Sequence, residues 1–235
     1  MLRIEHLSKT YKKSNVKAID DINIEIEDGD IYGFIGPNGA GKSTTIKCVV
    51  GILSQDSGTI DFDGLNLKDN EQEYKMKLAY VPDNPDIYEH MTGIGYLDFI
   101  ANVFRLGSEK NELIHKYASL LGIEEKLANP IKTYSHGMKQ KLEIISAIIH
   151  KPRLLILDEP FVGLDPKASF DLKEIMKELC QEGTMIFFSS HVLEVVEKFC
   201  NKIAIIKDGK IVASGTTEEV KGGESLEDKF MELFR

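Results

Sequence analysis

Nine residues that follow the apolar run "IYGFI" constrain this chain more than any other stretch: "GPNGAGKST", Gly36 to Thr44. Glycine so dense costs backbone entropy on folding, so the local structure must require a bare backbone there. The spacing G-x-x-x-x-G-K-[ST] falls on Gly36, Gly41, Lys42 and Ser43. A strand that passes through such a loop into a helix aligns successive backbone N–H groups as a concave anion site, reinforced by the positive end of the helix. The pattern predicts that Gly36, Pro37, Asn38, Gly39, Ala40, Gly41, Lys42, Ser43 and Thr44 hold the phosphates of a nucleotide. Lys42 would reach the outer phosphates, and the Ser43 hydroxyl would bind Mg²⁺.

A chain of 235 residues is long enough for one large domain or two small ones. Its 42% hydrophobic and 29% charged residues describe an ordinary soluble globular protein. The net charge of −9 argues against a broad nucleic-acid surface, so no nucleic-acid partner is expected. No apolar stretch approaches a membrane span, and "MLRIEHLSKTYKK" lacks the continuous apolar segment of a secretion signal. A cytoplasmic protein is expected, with any membrane link made through a partner. Cys48, Cys180 and Cys200 form no C-x-x-C pair and read as reduced core cysteines.

Along the chain, short strand-like runs fill the first thirty residues, and "EDGD" turns into the strand before the phosphate loop. A helix follows from near Lys42 to before Gly51, then the strand-like "GTIDFDG" and "LAYVP". From about Ile87 to His150 the spacing becomes helical, as in "YLDFIANVF", "ELIHKYASLLGI" and "KQKLEIISAIIH". Strands return as "RLLILDEP", "TMIFFSS" and "KIAIIKDGKIVASG", the last a hairpin about Asp208-Gly209. An α/β core is thus interrupted by a helical block. The tail "GGESLEDKFMELFR" reads as a short amphipathic helix.

The run "LLILDEP" ends in two carboxylates, at the end of a strand apolar on both faces, where ligands bind in parallel sheets. Asp158 is expected to hold Mg²⁺ across the phosphates from Ser43, and Glu159 to polarise an attacking water as general base. "YSHGMKQK" opens a helix that Ser135 can cap, and Gly137 permits close approach to its first N–H groups. His191 follows the strand "MIFF" at the same end of the sheet; taken alone, a lone histidine is more often structural than catalytic.

Five features stand in order: the phosphate loop, "YSHGM" at 134 to 138, "LLILDEP" at 154 to 160, "GLD" at 163 to 165, and His191. In this arrangement the chain resembles, over almost its whole length, the ATP-binding subunit of ABC transporters. The resemblance implies a P-loop NTPase, RecA-like α/β fold with an N-terminal antiparallel β-subdomain and an inserted α-helical subdomain. It divides one ABC ATPase domain into 1–86 and 150–219 as the ATP-binding core, 87–149 as the helical subdomain, and 220–235 as a helical tail. The family signature, usually L-S-G-G-Q, reads Tyr134-Ser135-His136-Gly137-Met138. By resemblance, Ser135, His136, Gly137 and Met138 meet the ATP of an opposed second ATP-binding subunit, a homodimer or a close paralogue. Asp165 then lies at the interface, His191 touches the terminal phosphate, and Tyr11 stacks on adenine; packing of Tyr11 on the core is the alternative.

After "AYVP" the family usually has glutamine, whereas this chain has Asp83 followed by Asn84. A carboxylate can bind Mg²⁺ but has no N–H to donate when ionised, so either Asp83 takes the role with altered chemistry or the relay to the membrane subunit differs. This loop and "HGMKQK" resemble a bacterial branch that pairs with separately encoded permeases, which implies an ATPase driving an integral-membrane permease, with a lean toward export, on the cytoplasmic face of the cell membrane. Two rivals stay open: a soluble ABC-type ATPase acting on DNA or ribosomes, and a small-molecule kinase, which would leave "YSHGM" and His191 idle.

Overall fold

β1 (Leu2–Thr10) buries Leu2 and Ile4 while Arg3 and Glu5 face outward, and β2 (Lys17–Ile26) continues the alternation with Ile22, Ile24 and Ile26 inward. Period-two alternation gives a sheet with one face on the core. The two strands pair antiparallel, Ile4 opposite Ile24. The chain then enters a second sheet through β3 (Ile31–Ile35) and returns as β4 (Ser57–Phe62), which completes a three-stranded sheet in the order β2-β1-β4. The computed structural model describes residues 1–12, 14–85 and 87–234.

The second sheet gathers β5 (Leu78–Val81), β6 (Leu154–Asp158), β7 (Met185–Ser190), β8 (Lys202–Lys207) and β9 (Lys210–Thr216) around β3, in the order β5-β6-β7-β3-β8-β9. All neighbours are parallel except β8 and β9, which form the expected hairpin with Asp208 and Gly209 both at positive φ. Every residue of β3, β6 and β7 is buried. Successive residues serve two cores: Leu154 and Ile156 pack toward the antiparallel sheet, with Leu2, Phe34 and Phe62, while Leu155 and Leu157 pack with the helices. That double burial is why these strands read as continuous apolar runs.

α1 (Lys42–Val49) starts where β3 and the glycine loop end. α2 (Leu67–Lys77) has no counterpart in the sequence reading, because Tyr74 is its one buried residue and the helix breaks at Asn70. The Tyr74 hydroxyl is buried and donates to the Val49 carbonyl at 2.7 Å, tying α2 to α1. The helical block consists of α3 (Gly93–Val103), α4 (Lys110–Leu120) and α5 (His136–Ile148), with 3₁₀ turns at Glu124–Lys126 and Ile131–Thr133. α6 (Pro166–Gln181) and α7 (Leu193–Phe199) cover the sheet. A capping box between Thr216 and Glu219 starts α8 (Thr217–Lys221), so this helix crosses residue 220, where the tail was expected to begin. α9 (Leu226–Leu233) buries Leu226, whose N–H bonds Glu197 of α7 at 3.0 Å.

Cys48 and Cys200 are buried and Cys180 is half-buried; all three are free thiols. Burial pushes Cys48 up to about 11 and Cys180 up to about 12, which suits packing and not nucleophilic chemistry. Among the described residues no helix is long and apolar enough to cross a membrane.

Candidate functional site

The phosphate loop opens on a cavity of about 320 Å³ lined by Tyr11, Ala18, Pro37, Asn38, Gly39, Gly41, Lys42, Ser43, Thr44, Asp83, Asp158 and Glu159. Four separate stretches of sequence therefore converge on one space. Gly41 precedes α1 with φ 116° and gives the helix no side-chain cap, so its first N–H groups face the loop without a competing acceptor. No acidic residue lies in that first turn. An anion is the partner such a helix end accepts. The Tyr11 hydroxyl bonds Thr44 Oγ1 at 3.1 Å while the residue stays 44% exposed, which leaves its ring open to solvent. Two loop residues do not line the cavity: the Ala40 carbonyl accepts the Gly209 N–H, and the Gly36 carbonyl accepts Lys42 Nζ at 2.6 Å.

Lys42 Nζ also lies 3.7 Å from Glu159 Oε1. Glu159 follows the last residue of β6 and adopts φ 51°, a left-handed conformation rare outside glycine. Its other oxygen accepts from the His191 backbone N–H at 3.3 Å and contacts His191 Nδ1 at 2.8 Å. The carboxylate is thus held between a cation on the loop and an imidazole at the end of β7. Asp158 is 2% exposed and accepts a hydrogen bond from Ser189. Burial pushes the nearby Tyr80 phenol up, and the carboxylates of Asp158, Asp83 and Glu143 add to the shift, a sign that negative charge collects beside this strand end.

The donor set is one of hard oxygens: the Ser43 hydroxyl with the carboxylates of Asp158 and Asp83. Among the described residues no three His, Cys, Asp or Glu side chains gather to hold an ion by themselves. One or two carboxylates completed by phosphate oxygens and water is the set that Mg²⁺ takes, so these residues fit it as a nucleotide-bound ion.

A second group of predicted residues does not line the cavity. Ser135 caps α5, accepting the Met138 N–H at 3.3 Å. A Cβ on Gly137 would stand 2.9 Å from the Gly163 carbonyl, and one on Gly163 would stand 2.9 Å from the His136 ring. Gln140, fully buried, donates to the Pro160 carbonyl at 3.0 Å, and Lys141 bonds Asp165 at 2.8 Å. That lysine, helped by the Ala168 N–H, holds the Asp165 carboxyl below its ordinary range. The start of α5 is therefore fastened to the 160–165 loop, away from the cavity of its own chain. Sequence reasoning missed Ser189, Gln140 and Lys141. Two serines ending the apolar run "MIFF" were the available signal for the first.

A family model described as ABC transporter matches residues 19–162. The lantibiotic transport ATP-binding protein SrtF of Streptococcus pyogenes is 35% identical over 230 residues, 98% of this chain and 96% of that protein. The linearmycin resistance ATP-binding protein LnrL of Bacillus subtilis is 34% identical over 230 residues, 96% of this chain and 73% of its own. An uncharacterized ABC transporter ATP-binding protein of Synechocystis sp. is 33% identical over 226 residues, and there the match takes 93% of this chain and 63% of that protein. A solved ATP-binding subunit of an ABC transporter superposes with TM-score 0.96 at 33% identity, covering 100% of both chains. A dimeric ATP-binding cassette in a post-hydrolysis state with ADP and Pi shares the fold, with TM-score 0.84 at 20% identity over 92% of this chain and 99% of that one.

Proposed function

This chain belongs to the ABC transporter family and is an ABC-type ATPase, and from that premise we propose that it is the motor subunit of a membrane transporter, closing head to tail with a second ATP-binding subunit over two ATPs. An integral-membrane permease is the driven partner. The observation that carries the proposal is the placement of Glu159 between Lys42 and His191, at the cavity into which the uncapped start of α1 opens.

In this account the N–H groups of the loop and α1 bind the phosphates, and Lys42 exchanges the Gly36 carbonyl for the outer phosphates. Ser43 and Asp158, with Asp83, would hold Mg²⁺, which neutralises phosphate charge when bound. Glu159 takes the proton of an attacking water, and His191 keeps its carboxylate turned toward the cavity until the terminal phosphate arrives. Tyr11 offers its exposed ring to adenine. Ser135, His136, Gly137 and Met138 meet the ATP of the opposed subunit, with Asp165 beside them.

The division of labour follows residues 1–86 and 150–219 as the ATP-binding core, 87–149 as the helical part carrying the signature, and 220–235 as a tail. Transport of a lantibiotic and resistance to linearmycin, named for SrtF and LnrL, support an exporter working at the cytoplasmic face of the membrane. The acidic balance of −9 supports a reading without nucleic acid. Glu159→Gln tests the chemistry: hydrolysis should fall by roughly 10²- to 10⁴-fold while ATP binding persists. Undiminished turnover in that variant would assign the base to another group.

A further inference from the structure

We propose that Ser189 is a positioning residue whose single hydroxyl orients the Asp158 carboxylate and the Glu159 backbone together, so that metal ligand and base are set by one side chain. The proposal rests on the ATPase reading of this site. Ser189 is the fifth residue of β7, fully buried, and stands opposite Asp158 of β6 in the parallel register. Its Oγ lies 2.5 Å from Asp158 Oδ1 and 3.0 Å from the Glu159 nitrogen. The directions are forced. A backbone N–H only donates, so the Glu159 N–H donates a hydrogen bond to Ser189 Oγ, and the one hydroxyl O–H donates to Asp158 Oδ1.

Two consequences follow for the chemistry. One oxygen of Asp158 is fixed by this bond, which sets the carboxylate's rotation beside the cavity it lines. Glu159 comes just after β6 ends, so its N–H has no ladder partner in the sheet; Ser189 supplies one. That bond helps to hold the left-handed backbone from which the Glu159 side chain reaches both His191 and Lys42. The next serine does something else: Ser190 Oγ accepts the Val192 N–H at 3.0 Å, in the turn that carries His191. A buried hydroxyl costs stability unless bonded, and both bonds of Ser189 go to the two residues assigned to metal and base.

The test compares Ser189→Thr, which keeps a hydroxyl, with Ser189→Val, which has the same shape without one, and with Ser189→Ala, in the full chain. Electron paramagnetic resonance would follow Mn²⁺ bound with ATP, fluorescence would follow ATP binding in chelator, and turnover would be measured with Mg²⁺. Loss of a hydrogen-bond partner behind a metal ligand costs roughly ten- to hundredfold in metal affinity or activity. Ser189→Val and Ser189→Ala should show that loss in Mn²⁺ affinity and in kcat, with metal-free ATP binding unchanged and Ser189→Thr close to the parent. Thermal melting identifies a variant that fails to fold; should the valine be one, the smaller alanine carries the comparison with threonine. Valine or alanine matching threonine in Mn²⁺ affinity and kcat would overturn the proposal. A parent protein that neither binds Mn²⁺ with ATP nor hydrolyses ATP would instead overturn the ATPase reading on which it rests.

Discussion

Replacing Gly41 by alanine, with Gly39 as its internal control, separates what the phosphate loop needs for folding from what it needs for ligand. Both glycines sit at positive φ, 116° and 81°. Only Gly41 is pressed against the fold: a Cβ there would lie 2.7 Å from the Ala18 carbonyl oxygen and 2.8 Å from Ile19 Cγ2, whereas at Gly39 nothing lies within 4 Å. Gly39→Ala therefore carries only left-handed strain, about 1–2 kcal/mol. Gly41→Ala adds to a backbone strain of about 1–3 kcal/mol a similar overpacking cost, because a carbonyl oxygen in the chain cannot rotate away as a side chain would. The sum is about 2–6 kcal/mol. In a chain of this size each kcal/mol moves Tm by about 2–4 °C, so calorimetry should find a drop of about 4–24 °C for Gly41→Ala and a few degrees for Gly39→Ala. Binding of a fluorescent ATP analogue should show the complement: Gly39 lines the cavity, so its methyl should weaken binding in a protein of nearly parental stability. Equal Tm shifts in the two variants would refute the steric reasoning.

Two further perturbations read other parts of the molecule. Burial lowers His150 to about 4, against about 6.5 in the unfolded chain, so between those values the unfolded state binds more protons and stability falls as pH falls. Moving from pH 7 to pH 5 should cost about 2 kcal/mol in denaturant titrations, and His150→Phe, still able to stack on Phe104, should remove that slope. At the cavity, Asp83→Ala should raise the Mg²⁺ concentration needed for hydrolysis while Asp83→Gln is tolerated; magnesium titrations of both variants that overlay the parent would show that Asp83 does not serve the metal.

The elements that the sequence displayed most plainly are those whose residues answer to one demand. β6 and β7 are apolar because both faces are buried, and the Asp208-Gly209 hairpin follows from two residues that tolerate positive φ. The phosphate loop was legible because its glycines, lysine and serine have fixed offsets that few other structures require. α2 was not, since a helix that buries one tyrosine carries no 3.6-residue stripe, and its anchor is a bond from that tyrosine to a distant carbonyl. The fastening of α5 to the 160–165 loop was equally hidden. Gln140 and Lys141 look like solvated helix residues until the fold brings Pro160 and Asp165 against them, 20 and 24 positions along the chain. Glu159 was placed by its position after β6, but its left-handed backbone and its contacts with Lys42 and His191 depend on three strand ends meeting, which no local pattern encodes.

The central claim is that two subunits close over ATP, with the signature of one meeting the nucleotide of the other. Glu159→Gln, which keeps the shape of the proposed base and should slow hydrolysis, is the background in which a closed pair should accumulate. Sedimentation velocity of this variant with Mg²⁺ and ATP, against ADP and against nucleotide-free protein, is the most direct test. Ser135→Arg added to it should abolish the pair while leaving ATP binding by the monomer intact, because a long cationic side chain would occupy the phosphate approach. Ser135 also caps α5, a loss of about 1 kcal/mol, so the melting temperature of the double variant is read alongside. The account predicts an ATP-dependent dimer in Glu159→Gln and a folded, ATP-binding monomer when Ser135→Arg is added; a protein that stays monomeric with ATP, or a dimer indifferent to Ser135→Arg, would contradict it.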